Sequence, residues 1–383
     1  MKKIFLFLIL SFIVITNTKA ENLKLAENAK SAILIEASTG EVLFEKNADE
    51  KLVPASMTKM MSMLLIIESI ENKILKWNQK ITVSEHASSM GGSQILLETG
   101  EKMTVKDLFK GVAIASGNDA VVALAEAIAG TEDEFVNMMN KKAKQLNLKN
   151  TNFKTPHGLD TANHYSSARD MSIIAKELVK HKKVLEFTKI YEDYLRKNTD
   201  KKIWLVNTNR LVRFYEGVDG LKTGYTKEAG YCLTATIEKE NMRIIAIVMG
   251  EPDSKTRSKE ISEMLDYSYA QFKTENLLKN KSSIGKYEVD KGKEKYVTII
   301  PKDKATVLRK KSKTLAHASY KVKLYNLKAP LKKGDIVGKL KIQENNKTIR
   351  TIDLTVNKNI KKANILELYI RNLKDIFLGE INI

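Results

Sequence analysis

Cysteine is almost missing from this chain: the one such residue among 383, Cys232, excludes an intramolecular disulfide and any Cys-rich zinc site. It sits in the apolar run Tyr231 to Ala235, which reads as a buried thiol. Histidine is also sparse, five in all, and no His-Glu-x-x-His or comparable cluster occurs, so no metal is implied. Proline (5) and glycine (18) are few and there is no long polar tract, internal repeat or low-complexity segment, which sets aside disordered and fibrous classes. Acidic residues are in deficit, 46 against 65 Lys and Arg, giving +19 and predicting attraction to something anionic. The length exceeds a usual domain of roughly 100 to 200 residues, so two domains are expected.

The charge is unevenly placed. Residues 276–383 carry 26 Lys/Arg and 10 Asp/Glu, or +16, leaving only +3 for residues 1–275. The start, Met1-Lys2-Lys3, then an apolar run Ile4 to Ile15 broken only by Ser11, then Thr18-Lys19-Ala20, has the form of a secretory signal cut after Ala20. The run is shorter than the about 20 residues needed to span a bilayer, which weakens a retained anchor. Export disfavours nucleic acid as the anionic partner and leaves a membrane surface or a cell-wall polymer.

Ala32 to Glu36 and Val42 to Phe44 flank Ser38-Thr39-Gly40 as a hairpin. Met57 to Ile70 carries so few charges that it reads as a helix buried nearly all round. Helical patterns follow at Val105 to Ala115, Ala120 to Ala129, Glu132 to Leu146 and Ala168 to Lys180. Tyr231 to Ile237 and Arg243 to Met249 then read as an antiparallel pair, followed by a helix from about Ser258 to Phe272. Strands, a helical middle and strands again predict an α+β domain whose sheet is completed by distant segments. Around Thr274 to Ser283 the chain turns polar and Lys-rich, and short β-like runs beyond it (Tyr296 to Ile300, Tyr320 to Leu324, Ile336 to Ile342, Thr351 to Val356) predict a small all-β domain. In Asn364 to Leu378, Ile365, Leu366, Tyr369, Ile370, Leu373, Ile376 and Phe377 share one helical face opposite Glu367, Arg371, Lys374 and Asp375. This amphipathic helix either packs on the β domain or lies in a membrane interface. The expected organisation is therefore a signal at 1–20, an α+β domain at 21–275, a β-rich domain at 276–362 and an amphipathic helix at 363–383.

Three short strings carry chemistry. Ser56-Met57-Thr58-Lys59 places a hydroxyl and an amine on one helix face within mutual reach. A serine hydroxyl is a poor nucleophile until a base takes its proton, and a lysine held neutral by burial is such a base. A second Ser-x-x-Lys, Ser283 to Lys286, lies in the polar linker and has no reason to react. Ser116-Gly117-Asn118 and Lys222-Thr223-Gly224 each occur once. Taken singly, Ser56, Ser116 and Asn118 read as helix caps and Lys222 to Gly224 as a strand end; taken together and in order they do not.

The three strings, with Pro54 to Lys59, Ala115 to Ala120, Pro156-His157-Gly158-Leu159 and Gly217 to Gly224, resemble the penicillin-recognising serine acyl-transferases, and within them the low-molecular-mass penicillin-binding proteins that act as D-alanyl-D-alanine carboxypeptidases. The resemblance covers essentially the whole mature chain. It implies a β-lactamase/transpeptidase-like domain, an antiparallel sheet flanked by helices with a helical subdomain, then a β-rich domain and a C-terminal helix holding the protein, peripherally, to the outer face of the cytoplasmic membrane. By motif, it implies Ser56 as nucleophile, Lys59 as base, Ser116 as proton relay to the departing D-alanine, and Asn118 as the group positioning substrate amide and lysine. Lys222 would supply positive potential, Thr223 of the Lys222-Thr223-Gly224 string would bind the substrate carboxylate, and backbone N–H groups of Ser56 and Tyr225 would form the oxyanion hole. Arg257, seven positions after Gly250, would be a second carboxylate clamp. The middle string departs from the Ser-Asp-Asn form in having Gly117, which fits the carboxypeptidases better than most β-lactamases. Gly91-Gly92-Ser93-Gln94 resembles a family loop bordering the active site, and Pro156 to Leu159 is expected to be structural. No cofactor is implied; the implied partners are peptidoglycan stem peptides, β-lactams and a membrane surface, with no nucleic acid. The rival functions are a β-lactamase of the same fold, for which no Glu-x-x-Leu-Asn string is found, and a silent cell-wall-binding protein.

Overall fold

The computed structural model describes residues 24–278, 283–312 and 318–378. The expected signal, residues 1–20, lies outside them. Five antiparallel strands form the central sheet in the order Val42–Lys46, Ser31–Glu36, Met242–Glu251, Gly230–Lys239 and Val218–Thr226. The hairpin at the N-terminal end is thus zipped onto strands 200 residues later, with Ser31 opposite Met249 and Glu36 opposite Ile244. The central strands are largely apolar, Ile244 to Met249 without a break and Cys232 to Ile237 broken only by Thr234 and Thr236, because both faces of the sheet are covered. Ile33, Ile35, Ile245 and Ile247 enter one core with the helices Lys59–Glu71, Val105–Ala115, Asn118–Ala129 and Ala168–Leu178. Their neighbours Leu34, Ile244, Ala246 and Val248 enter a second core under the helix Ser254–Gln271, as the two-residue period of a strand requires.

The helix Lys59–Glu71 is buried at every position from Lys59 to Ile67. It is preceded by a 3₁₀ turn, Ala55–Thr58, so the expected single helix from Met57 begins as a tighter turn. The helix expected from about Ser258 begins earlier, at Ser254, because Asp253 caps the N–H groups of Lys255 and Thr256.

The second domain is a five-stranded antiparallel sheet in the order Gly285–Glu288, Tyr296–Pro301, Lys347–Val356, Ile336–Glu344 and Ala318–Leu324, around Val297, Ile299, Leu340, Ile342, Ile352 and Leu354. The stretch read as a polar linker is in part a strand: Phe272–Asn276 pairs with Thr306–Lys310. Its side chains are largely wet while its backbone pairs, so no apolar pattern announces it. Ser38 Oγ meets Thr306 Oγ1 at 2.7 Å, and Arg350 donates to the Ser38 and Thr306 carbonyls, joining the two domains.

The helix Ile365–Phe377 opens with a capping box between Asn364 and Glu367. Its polar side is tied to the β domain: Glu367 pairs with Lys293 at 2.9 Å, Asp375 with Lys295 at 2.8 Å, and Arg371 donates to the Gly292 carbonyl at 2.7 Å. None of its residues is buried, and Ile365 and Phe377 are 87% and 86% exposed. Among the described residues no helix is long and apolar enough to cross a membrane.

Candidate active site

Lys59 heads the buried helix, and its side chain is wholly enclosed. Its Nζ lies 2.9 Å from Ser56 Oγ, 2.6 Å from Asn118 Oδ1 and 2.8 Å from the His157 carbonyl oxygen. Two of these partners are acceptors only, since the Asn118 amide is oriented by its Nδ2, which donates to Gly91 O at 2.6 Å. A neutral amine has two N–H groups and one lone pair. With its hydrogens turned to Asn118 and His157, the lone pair faces the Ser56 hydroxyl. Burial, with repulsion from Lys222 second, holds Lys59 well below the usual lysine range, so the neutral form is favoured. The sequence expectation of a shared face is met in atomic detail.

Backbone strain shapes the site. Ala55 and Ser116 both have positive φ, +47° and +64°, a region that costs a non-glycine residue roughly 1–2 kcal/mol. At Ser116 this ends the helix Val105–Ala115, and the next helix starts at Asn118, so the two side chains of Ser-Gly-Asn are presented at a sharp corner. Ser116 Oγ is buried and makes no hydrogen bond among the described residues. Asp119 holds the neighbouring loop by accepting from the N–H groups of Ile95 and Leu97. The Gly91 to Gln94 loop is thereby set against the site: Asn118 N donates to Ser93 O at 2.7 Å, and a Cβ on Gly92 would stand 2.8 Å from Asn118 Nδ2.

The edge strand Val218–Thr226 carries the third string past the Ala55–Thr58 turn. A Cβ on Gly224 would be 2.8 Å from Pro54 O and 3.2 Å from Ala55 Cβ, so only glycine lets the strand pass this close. Lys222 is buried, with Nζ 2.9 Å from Thr223 O; burial first, then Arg257, lowers it to about 7. Thr223 Oγ1 donates to Thr208 Oγ1 at 2.7 Å. Arg257 is buried, its Nε unpaired among the described residues, and burial lowers it from its ordinary value. Arg257 thus depresses the enclosed Lys222, and an anion entering beside these two cationic groups relieves that repulsion. Tyr225 differs from the rest in being 55% exposed; its ring lies 4.3 Å from that of Tyr231. Cys232 is buried with its thiol pushed up to about 11 by burial, an inert core sulfur.

Several supporting residues had no signature in the sequence. His164 accepts from Lys154 N at its Nδ1 and so donates from Nε2 to Thr58 Oγ1 at 2.8 Å; burial lowers it to about 4. Pro156 to Leu159 contributes main chain: beyond the His157 carbonyl on Lys59, Pro156 O accepts from Ser62 Oγ at 2.6 Å. Gly158, at φ +85°, lies so close to the turn that an added Cβ would be 1.9 Å from Ala55 O. The expectation of a structural role for this segment agrees with these contacts. Among the described residues no cluster of three or more His, Cys, Asp or Glu could hold a metal.

The family model described as D-alanyl-D-alanine carboxypeptidase matches residues 16–253, and that of the penicillin-binding protein 5 C-terminal domain matches 272–362. The chain is 50% identical over 353 residues to D-alanyl-D-alanine carboxypeptidase DacF of Bacillus subtilis, covering 92% of this chain and 91% of that one. It is 36% identical over 346 residues to DacA of Haemophilus influenzae, covering 88% and 86%. Among solved structures it resembles penicillin binding protein 5 from Haemophilus influenzae, with a TM-score of 0.69 and 34% identity over 88% of this chain and 98% of that one. It also resembles penicillin-binding protein D2 from Listeria monocytogenes in its ampicillin-bound form, with a TM-score of 0.58 and 31% identity over 65% and 99%.

Proposed function

The chain belongs to the D-alanyl-D-alanine carboxypeptidase family of low-molecular-mass penicillin-binding proteins, and from that premise we propose how its residues carry the reaction. It is a serine hydrolase that removes the terminal D-alanine from peptidoglycan stem pentapeptides and is acylated by β-lactams. Ser56 Oγ attacks the carbonyl of the penultimate D-alanine while Lys59 Nζ takes its proton. The tetrahedral oxyanion is held by the backbone N–H groups of Ser56 and Tyr225, a contribution of about 2.7–4 kcal/mol per donor in well-studied cases. Ser116, whose hydroxyl has no partner among the described residues, passes the proton to the amine of the departing D-alanine. Water then hydrolyses the Ser56 ester and restores the enzyme. Lys222, Thr223 and Arg257 receive the substrate's terminal carboxylate, an anion that offsets the repulsion of Lys222 by Arg257. The observation that carries this reading is the 2.9 Å contact between Lys59 Nζ and Ser56 Oγ, with both other partners of that amine restricted to accepting. Incubation with a pentapeptide ending in D-Ala-D-Ala, followed by mass spectrometry, tests it: loss of one alanine is expected, and an uncut peptide overturns it.

For location, the reading is export followed by peripheral attachment to the outer face of the cytoplasmic membrane through residues 363–383. Its support is the exposed apolar residues of Ile365–Phe377, Ile365, Leu366, Ile370, Ile376 and Phe377 among them, on a helix tied to the domain by its polar side and beside a segment that carries most of the net charge.

A further inference from the structure

The carbonyl of His157 is one of the two acceptors that aim the Lys59 lone pair at Ser56, so whatever fixes the backbone at His157 acts on the base. The flanks are tied by Ser62 Oγ on Pro156 O and by the Gly158 N–H on Thr155 Oγ1 at 2.9 Å. The imidazole is tied at both nitrogens. Leu159 N–H donates to His157 Nδ1 at 3.1 Å. A backbone N–H can only donate, so Nδ1 is unprotonated and the proton sits on Nε2. Nε2 lies 3.3 Å from Glu132 Oε1, and the second oxygen of Glu132 lies 2.7 Å from Nε2 of His86, a ring on the far side that is half open to solvent.

Glu132 comes from a separate element. It is the first residue of the helix Glu132–Gln145, one position after the cap Thr131, which accepts from Glu134 N. The other acids of that turn, Asp133 and Glu134, are exposed; Glu132 is drawn inward. We propose that Glu132 is a positioning residue for the acylation step: its carboxylate, 3.3 Å from the His157 Nε2, holds the orientation of that buried ring, and through the carbonyl of the same residue the direction of the Lys59 amine. It touches neither Ser56 nor Lys59. The inference rests on Lys59 acting as the base.

The test is the rate of acylation by a fluorescent penicillin in stopped flow, which separates the maximal acylation rate from affinity in the non-covalent complex. Glu132→Ala is expected to slow maximal acylation about tenfold, the worth of roughly one hydrogen bond, with non-covalent affinity within about twofold because Lys222 and Arg257 are untouched. Glu132→Gln keeps an acceptor oxygen for the His157 N–H and is expected to restore acylation to within about threefold of the parent. Asp133→Ala removes the same helix-end charge without reaching His157, and is expected to acylate normally. An alanine variant as fast as the parent, or a glutamine variant as slow as alanine, overturns the proposal. Lys59→Arg measured alongside separates the two readings: if it acylates normally the base assignment fails, whereas if it is inactive and Glu132→Ala is unaffected, only the positioning role fails. Should Glu132→Ala not fold, nitrogen-15 spectra of histidine-labelled parent and Glu132→Gln proteins give the answer: the His157 Nε2 signal is expected to differ between them, and an identical signal overturns the proposal. The His157 ring is expected as the Nε2–H tautomer, and an Nδ1–H tautomer overturns the proposal.

Discussion

Gly158→Ala is expected to damage stability and acylation together. Gly158 has φ +85°, and its Cβ position is 1.9 Å from Ala55 O, 2.6 Å from Ala55 C and 2.7 Å from Thr58 Oγ1. Two of those atoms are backbone of the turn that presents Ser56, so no side chain can swing aside. Restoring a contact of about 3.5 Å requires the two segments to part by roughly 1.5 Å. The left-handed backbone costs alanine roughly 1–2 kcal/mol, and overpacking adds roughly 1–3 kcal/mol, so the loss is about 2–5 kcal/mol, or a melting midpoint lower by about 4–20 °C for a domain of this size. The parting also separates Ser56 from a lysine held by the His157 carbonyl next door, and a shift of about 1 Å can cost on the order of a hundredfold in rate. Gly100→Ala is the control, since Gly100 has φ +81° but nothing within 4 Å of its Cβ position. It isolates the backbone cost, about 1–2 kcal/mol, and leaves acylation intact. Thermal melts and stopped-flow acylation of both variants are the assay. A Gly158→Ala protein that melts like Gly100→Ala and acylates at the parental rate refutes the reasoning.

Lys59→Arg keeps a cation but cannot readily deprotonate, so acylation is expected to vanish at neutral pH, whereas the parent's rate should rise as pH climbs through the depressed value of Lys59; an active arginine variant removes Lys59 as base. Glu251 is enclosed with neither oxygen paired among the described residues, and burial, then the adjacent Glu260, raises it far above the usual carboxyl range. The folded state thus keeps a proton that the unfolded chain sheds near 4.5, and this group's stabilisation is full below that pH and lost as pH rises toward the raised value. Glu251→Gln should gain stability relative to the parent between pH 5 and 8 in denaturant titrations; an equal difference at both pH values contradicts the retained proton. Deleting residues 363–383 should release the protein from anionic vesicles and leave hydrolysis of a small soluble peptide nearly unchanged, since apolar burial at roughly 25 cal/mol per Å² and about 1 kcal/mol per nearby lysine are what it removes. Continued co-sedimentation at moderate salt rejects the anchor, and lost soluble activity means the helix is part of the fold.

Much of the site could be read before any coordinates because its chemistry lies in contiguous strings. Ser56 and Lys59 are one helical turn apart, Ser116 and Asn118 span one helix corner, and Lys222 to Gly224 are successive residues of one strand, so local geometry already brings each group together. The apolar helix Lys59–Glu71 and the doubly covered strands Gly230–Lys239 and Met242–Glu251 were legible for a similar reason: burial on all sides leaves a largely hydrophobic run. Contacts made only by tertiary folding left no trace. Glu132 and His157 are joined across two elements, Thr208 meets Thr223 from a loop, and a lone Glu or Thr has no pattern to betray it. The strand Phe272–Asn276 escaped because it pairs by backbone while showing polar side chains to water. The hairpin Glu192–Leu195 with Ile203–Val206 escaped because its charged and aromatic residues are half exposed, Trp204 among them.

The nucleophile is the centre of the account, and peptide mapping of the penicilloyl adduct examines it most directly. Parent protein treated with benzylpenicillin, quenched and digested should carry the opened β-lactam on the peptide that contains Ser56, and Ser56→Ala, folded by circular dichroism, should carry none, while Ser283→Ala should label like the parent. An adduct on any other residue, or labelling that survives Ser56→Ala, contradicts the account.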